Sequence, residues 1–180
     1  LKEWPAEGPK QLWAFEGLGK GYAAVSVVRG RIFTTGMVDK DGVLFCLKDD
    51  GSLIWKTVYA PEWTGSYPGS RSTPTVDGKC VYVMSGQGVL VYLEGKDGKK
   101  VWSVDTLKTF GGRNIGWGIS ESVLVDGDRV ICTPGGKDAS VAALDKNTGK
   151  TVWTTKGLSD SSAYCSPVLV EHGGTRLIVT

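Results

Sequence analysis

Four tryptophans in matching settings constrain this chain more than any other feature: Trp13, Trp55, Trp102 and Trp153, spaced 42, 47 and 51 residues apart. Three follow a turn glycine at one fixed distance, in Asp50-Gly51-Ser52-Leu53-Ile54-Trp55, Asp97-Gly98-Lys99-Lys100-Val101-Trp102 and Thr148-Gly149-Lys150-Thr151-Val152-Trp153. In Gly8-Pro9-Lys10-Gln11-Leu12-Trp13 the glycine sits one residue further back. Self-similarity at a period of about 40–50 residues means one supersecondary unit repeated, so each segment is read as part of such a unit.

The clearest unit runs through Ser72–Val76, an Asp77-Gly78 hairpin turn, Cys80–Met84, a turn at Ser85–Gly88, Val89–Leu93, a turn at Lys96–Gly98, and Lys100–Val104. Short alternating runs divided by Asp-Gly and Gly-rich turns predict four antiparallel strands. A second copy follows in Glu121–Val125, Arg129–Thr133, Ser140–Leu144 and Thr151–Thr154, and an earlier one starts at Ala23–Val28. The hairpin glycines Gly30, Gly78 and Gly127 recur at 48 and 49 residues. A four-stranded sheet at this period is a propeller blade. The expected fold is therefore all-β: a β-propeller of four-stranded antiparallel blades, forming an incomplete ring. Residues 1–180 divide into an orphan outer strand at 11–16, blades at 22–59, 72–106 and 119–156, and the first half of a further blade at 164–180. Open blades expose apolar faces and unpaired edges, so the missing blades are expected from the rest of a longer chain or from another copy.

Charge is nearly balanced, with a formal net charge of +2 and no block of like charges, which argues against a nucleic-acid partner. No apolar run approaches the ~20 residues of a membrane span. The N-terminus lacks a methionine and a signal-like stretch, as in a processed or trimmed chain. Cys46, Cys80, Cys132 and Cys165 lie far apart in apolar, strand-like contexts without a CxxC pair. They are expected as buried free thiols, with one fold-made disulfide as the open alternative.

Ala143-Leu144-Asp145-Lys146-Asn147-Thr148-Gly149-Lys150-Thr151-Val152-Trp153 resembles the tryptophan-docking repeat of the pyrroloquinoline-quinone (PQQ)-like propellers. Val125-Asp126-Gly127 and Ser72-Thr73-Pro74 extend the resemblance along the chain. It implies that Trp13, Trp55, Trp102 and Trp153 dock blade on blade, each indole N–H bonding a backbone carbonyl of its neighbour. The family includes quinoprotein alcohol and sugar dehydrogenases that hold PQQ and Ca²⁺. It also includes non-catalytic platforms such as the lipoprotein of the outer-membrane β-barrel assembly machinery. Trp63–Gly69, Ser120–Ser122 and Cys132–Asp138 are similar to exported propeller proteins of planctomycete-type bacteria. The resemblance implies a bacterial periplasmic or secreted location, with PQQ and Ca²⁺ as the cofactors of the catalytic branch.

The residues themselves show no catalytic or metal constellation. The vicinal cysteine pair of a quinoprotein site is absent, and the one histidine, His172, adjoins a Gly-Gly hairpin. Asp49, Asp50, Asp77, Asp126 and Asp145 occupy turns, where turn propensity accounts for them. No glycine cluster precedes a helix pattern, so phosphate-loop readings fail. The links between blades are more informative, being long and aromatic at Glu62–Arg71 and Phe110–Trp117. They run over the channel face, where Tyr67, Arg71, Arg113, Trp117, Glu121 and Tyr164 are expected to line a mouth. Paired arginines with tryptophan and tyrosine suit an anionic or planar ligand, or a peptide segment. The resulting expectation is a protein- or ligand-binding scaffold, with part of a PQQ- and Ca²⁺-dependent dehydrogenase as the alternative.

Overall fold

A computed structural model of the chain describes residues 3–180. The first sheet contains β1 (Ser26–Val28), β2 (Arg31–Val38), β3 (Asp41–Lys48) and β4 (Leu53–Pro61) in that spatial order. The second contains β5 (Thr75–Asp77), β6 (Cys80–Met84), β7 (Val89–Glu94) and β8 (Lys100–Asp105). The third contains β9 (Leu124–Asp126), β10 (Arg129–Cys132), β11 (Ala142–Asp145) and β12 (Thr151–Thr154). A two-stranded hairpin, β13 (Val168–His172) with β14 (Thr175–Val179), follows. Within these sheets the strands pair antiparallel, and two-residue turns fix the register of the first two strands of each four-stranded sheet. The first turn shows why: Arg29 and Gly30 both hold positive φ, at 51° and 71°, the backbone twist a tight hairpin demands.

Side-chain alternation puts a core on both faces of the second sheet. Val81, Val83, Val91 and Leu93 point toward the first sheet and join Phe33, Leu44, Cys46 and Tyr59. Their neighbours Tyr82, Met84, Leu90 and Tyr92 point the other way, onto Val130, Cys132 and Leu144 of the third sheet. The cores lie between sheets, so each blade is stabilised by the next.

Two polar devices join the blades. Trp13, Trp55 and Trp102 donate their indole N–H to the carbonyls of Asp49, Gly95 and Lys146, at 2.7, 3.2 and 3.1 Å. In each case the acceptor belongs to the turn between the third and fourth strands of the following sheet. Trp153 is half-buried and donates to no carbonyl among the described residues. Nearer the inner strands, Ala24 N–H donates to Thr73 Oγ1, Thr73 N–H to Ser122 Oγ, and Ser122 N–H to Ser166 Oγ, at 3.1, 3.0 and 2.9 Å.

That relay explains why the innermost strands are shorter than their sequences predict. Ala23–Val28, Ser72–Val76 and Glu121–Val125 read as strands, but the amides of Ala24, Thr73 and Ser122 donate to the neighbouring blade instead of to a strand of their own sheet. The expected strand at 11–16 is not formed either. Among the described residues no strand pairs with it, and Leu12 is 84% exposed, although Phe15 meets the Phe45 ring edge-on at 6.1 Å. The link after β8 contains a single helical turn, α1 (Thr106–Phe110), capped by the Asp105 carboxylate accepting Lys108 N–H at 2.9 Å. All four thiols are free, and Cys165 is exposed rather than buried.

Candidate functional site

In a four-stranded antiparallel blade, the first-to-second and third-to-fourth turns share one end. The second-to-third turn and the link to the next blade share the other. The links in this chain build an open depression of ≈ 570 Å³ lined by Tyr22, Tyr67, Arg71, Trp117, Ser120 and Tyr164. Four of these are one position of the repeat: Tyr22, Arg71, Ser120 and Tyr164 each stand two residues before a member of the amide–hydroxyl relay. Successive blades thus contribute one side chain apiece to the bowl.

The walls are aromatic and open to solvent. Tyr22, Tyr67, Trp117 and Tyr164 are 62%, 69%, 54% and 51% exposed. Trp117 and Tyr164 hold each other, with ring centroids 5.6 Å apart, and the Tyr164 hydroxyl accepts Trp117 N–H at 3.1 Å. The Arg71 guanidinium lies 5.5 Å from the centroid of the Tyr22 ring. It also donates to the carbonyls of Gly69, Tyr67 and Ser66, at 2.6, 2.5 and 3.3 Å. Tyr67 itself holds φ at 53°, a left-handed conformation uncommon outside glycine, which these bonds help to fix.

A buried carboxylate, Glu62, stands within the field of Arg71 without lining the depression. Glu62 is 1% exposed, takes a hydrogen bond from the Tyr59 hydroxyl, and accepts Gly86 N–H and Trp63 N–H at 2.8 and 3.0 Å. Burial pushes its acidity down, so its pKa rises above the usual value against these donors and the nearby charge of Arg71. Burial, with the Glu62 charge beside it, likewise raises Tyr59 well above an ordinary phenol.

Two sequence-derived members lie elsewhere. Glu121 is not a mouth residue: it is fully buried, and its carboxylate accepts Thr133 N–H at 2.9 Å and Thr133 Oγ1–H at 2.6 Å. It closes the end of β10 as Glu62 closes the end of β6. Burial raises its pKa to about 7 despite both bonds. Arg113 is exposed and does not line the depression, so the paired-arginine grip is not formed. Tyr22 and Ser120 line the depression although residue type alone does not mark them as mouth residues. Their signal was the register shared with Arg71 and Tyr164.

This is an arc of a β-propeller with an open aromatic depression on its link face. The chain belongs to the PQQ-repeat family whose model is described as outer membrane protein assembly factor BamB, matched over residues 5–110 and 40–180. It is 31% identical over 127 residues to the quinoprotein ethanol dehydrogenase of Pseudomonas aeruginosa, covering 66% of this chain and 20% of that protein. It is 27% identical over 141 residues to the outer membrane protein assembly factor BamB of Kangiella koreensis, covering 75% of this chain and 32% of that one. The crystal structure of BamB from Moraxella catarrhalis superposes with a TM-score of 0.57 at 22% identity, over 85% of this chain and 41% of that chain. The chain therefore spans about a fifth to a third of the length of the curated relatives it matches.

The residues present do not fit a PQQ–Ca²⁺ centre. Cys46, Cys80 and Cys132 are buried in separate sheets, and Cys165 stands apart from them. Among the described residues, no three His, Cys, Asp or Glu side chains converge. No helix among them is long and apolar enough to cross a membrane.

Proposed function

We propose that the chain is part of an exported bacterial propeller that holds a protein partner or a planar ligand in the aromatic bowl, as a scaffold. The observation that carries this reading is the bowl itself. Four aromatic rings, each at least half exposed, converge from different blades on one concave surface. Large aromatic side chains left in water and gathered in one concavity suit an interaction site. Aromatic side chains with one arginine are the residue types that dominate binding energy at protein interfaces. The periplasmic or secreted location, and completion of the ring by further blades, belong to the same proposal. They rest on the likeness to envelope-assembly and quinoprotein relatives.

The test places a photo-crosslinking amino acid at Tyr67 of the full-length protein in living cells. A discrete adduct that disappears in Trp117→Ala and Tyr164→Ala, with both variants still folded, supports the scaffold. Unchanged adducts in both variants count against it. A second reading, an arc of a quinoprotein dehydrogenase, is favoured by the 31% identity to the Pseudomonas enzyme. Tight binding of PQQ with Ca²⁺ by the full-length protein, with dye-linked alcohol oxidation, would establish it in place of the scaffold.

A further inference from the structure

The end of the arc opposite the bowl contains a second cleft, of ≈ 280 Å³, between the first and second sheets. Four cations line it: Arg29 and Arg31 from the β1–β2 hairpin, Lys79 from the β5–β6 hairpin, and Lys96 from the β7–β8 turn. No carboxylate is among its lining residues.

The next junction, built to the same plan, has the opposite charge pattern. The strand registers make Val28 equivalent to Asp77, since each faces its partner across a two-residue turn. Gly95 and Lys146 are equivalent, because they accept from Trp55 and Trp102, and because their amides bond Lys79 and Asp128 respectively. Lys79 is thereby equivalent to Asp128. Between the second and third sheets, then, one cation stands between two carboxylates: Lys146 Nζ lies 2.9 Å from Asp77 and 3.8 Å from Asp128. Between the first and second, a valine and a lysine replace both carboxylates, and arginines are added. The following junction also keeps its acid, with Arg176 on Asp126 at 2.5 Å.

Like charges gathered at a half-enclosed cleft repel, and self-repulsion of this kind is relieved by a counter-ion of matching charge. The half-buried Arg31 is already fixed, its Nη1 donating to Gly95 O at 2.7 Å, so its fork is held in place at the cleft. Lys96 has one exposed neighbour, Asp97, at 3.7 Å, a surface pair too loose to neutralise the group. We infer that this cleft is a binding site for a small multivalent oxyanion of the phosphate type. A cleft of this size admits inorganic phosphate or pyrophosphate.

The experiment is calorimetric titration of the full-length protein with pyrophosphate at low ionic strength, with chloride as the monovalent control. Saturable binding is expected, weakening as salt is added. Val28→Asp restores the carboxylate of the sister junctions and is expected to weaken binding by about tenfold or more. Lys79→Ala changes an exposed hairpin residue without touching a core, and is expected to weaken it in the same direction. No saturable heat in the wild-type protein overturns the inference, as does equal affinity in wild type and both variants. Because the bowl lies at the other end of the blades, crosslinking at Tyr67 is expected to be unchanged in Lys79→Ala; failure of the bowl reading leaves this result independent.

Discussion

Trp102 lies across Gly149 of the following blade: a Cβ placed on that glycine would stand 2.9 Å from the indole ring, and the glycine holds φ at +71°. The same stacking pairs Trp13 with Gly51 and Trp55 with Gly98, where a Cβ would come within 2.7 and 2.6 Å of the ring. The turn glycine thus does two jobs. It reverses the chain, and it offers a flat seat to a tryptophan from the blade before.

Trp102→Ala should therefore cost about 3–5 kcal/mol, as large-to-small changes at packed aromatic sites do. Gly149→Ala should cost about 1–3 kcal/mol from backbone strain, with loss of the stacking added. Urea denaturation followed by circular dichroism measures both. An unchanged midpoint in either variant would remove the docking role assigned here.

Thr73 carries the amide–hydroxyl relay across the second blade. Thr73→Val keeps the shape and β-propensity but leaves Ala24 N–H without its acceptor, for an expected loss of about 0.5–1.5 kcal/mol. Thr73→Ser should recover most of it. If serine and valine were equally destabilising, packing of the methyl group and not the relay would be the cause.

Glu121 makes stability depend on pH in a predictable sense. Its folded pKa is about 7 against an ordinary 4.5. The fold therefore binds this proton more tightly than the unfolded chain does. Its favourable contribution is complete below the unfolded value and is lost as pH rises through about 7. Glu121→Gln cannot titrate, so the stability difference should move in favour of the variant across that window and level off above it. Denaturation midpoints measured at each pH for both proteins decide this; parallel profiles would contradict it.

Thiol reactivity should divide the cysteines one against three. Cys165 is exposed, whereas Cys46, Cys80 and Cys132 are buried. Burial also lifts the Cys46 pKa to about 11, which starves it of thiolate at neutral pH. Native protein should take up one equivalent of a thiol reagent quickly and the other three only in denaturant. Rapid modification of more than one would show that the inter-blade cores open.

The parts that were legible in the sequence are those written in local chemistry. Asp77-Gly78 and Asp126-Gly127 announce hairpins, and the alternating run Cys80–Met84 announces a strand, because turn geometry and side-chain direction are set within a few residues. The single turn at Thr106–Phe110 is too short to carry a helical period, so only its Asp105 cap and Phe110 anchor distinguish it in space. Tyr67, Arg71, Trp117 and Tyr164 stood out as aromatic and cationic residues in long links. Tyr22 and Ser120 did not, because membership of the bowl depends on the repeat register and not on residue type. Glu121, flanked by Ser120 and Ser122, looks solvent-facing in sequence. Its burial depends on Thr133, twelve residues away, which supplies the two donors.

The amide relay and the indole contacts run in one sense, each unit reaching forward to its successor. Ala24 meets Thr73 as Thr73 meets Ser122, at the same interval of 49 residues. The two joints between the four-stranded sheets consequently present the same plug to the same socket, and removal or duplication of one unit between these equivalent positions would leave complementary surfaces facing each other. Such a joint lets copy number change while the contacts stay fixed. In this chain the repeated interface chemistry lies in the joints, and what differs from unit to unit is left to the two ends: an aromatic bowl at one, and charge that reverses from cleft to cleft at the other.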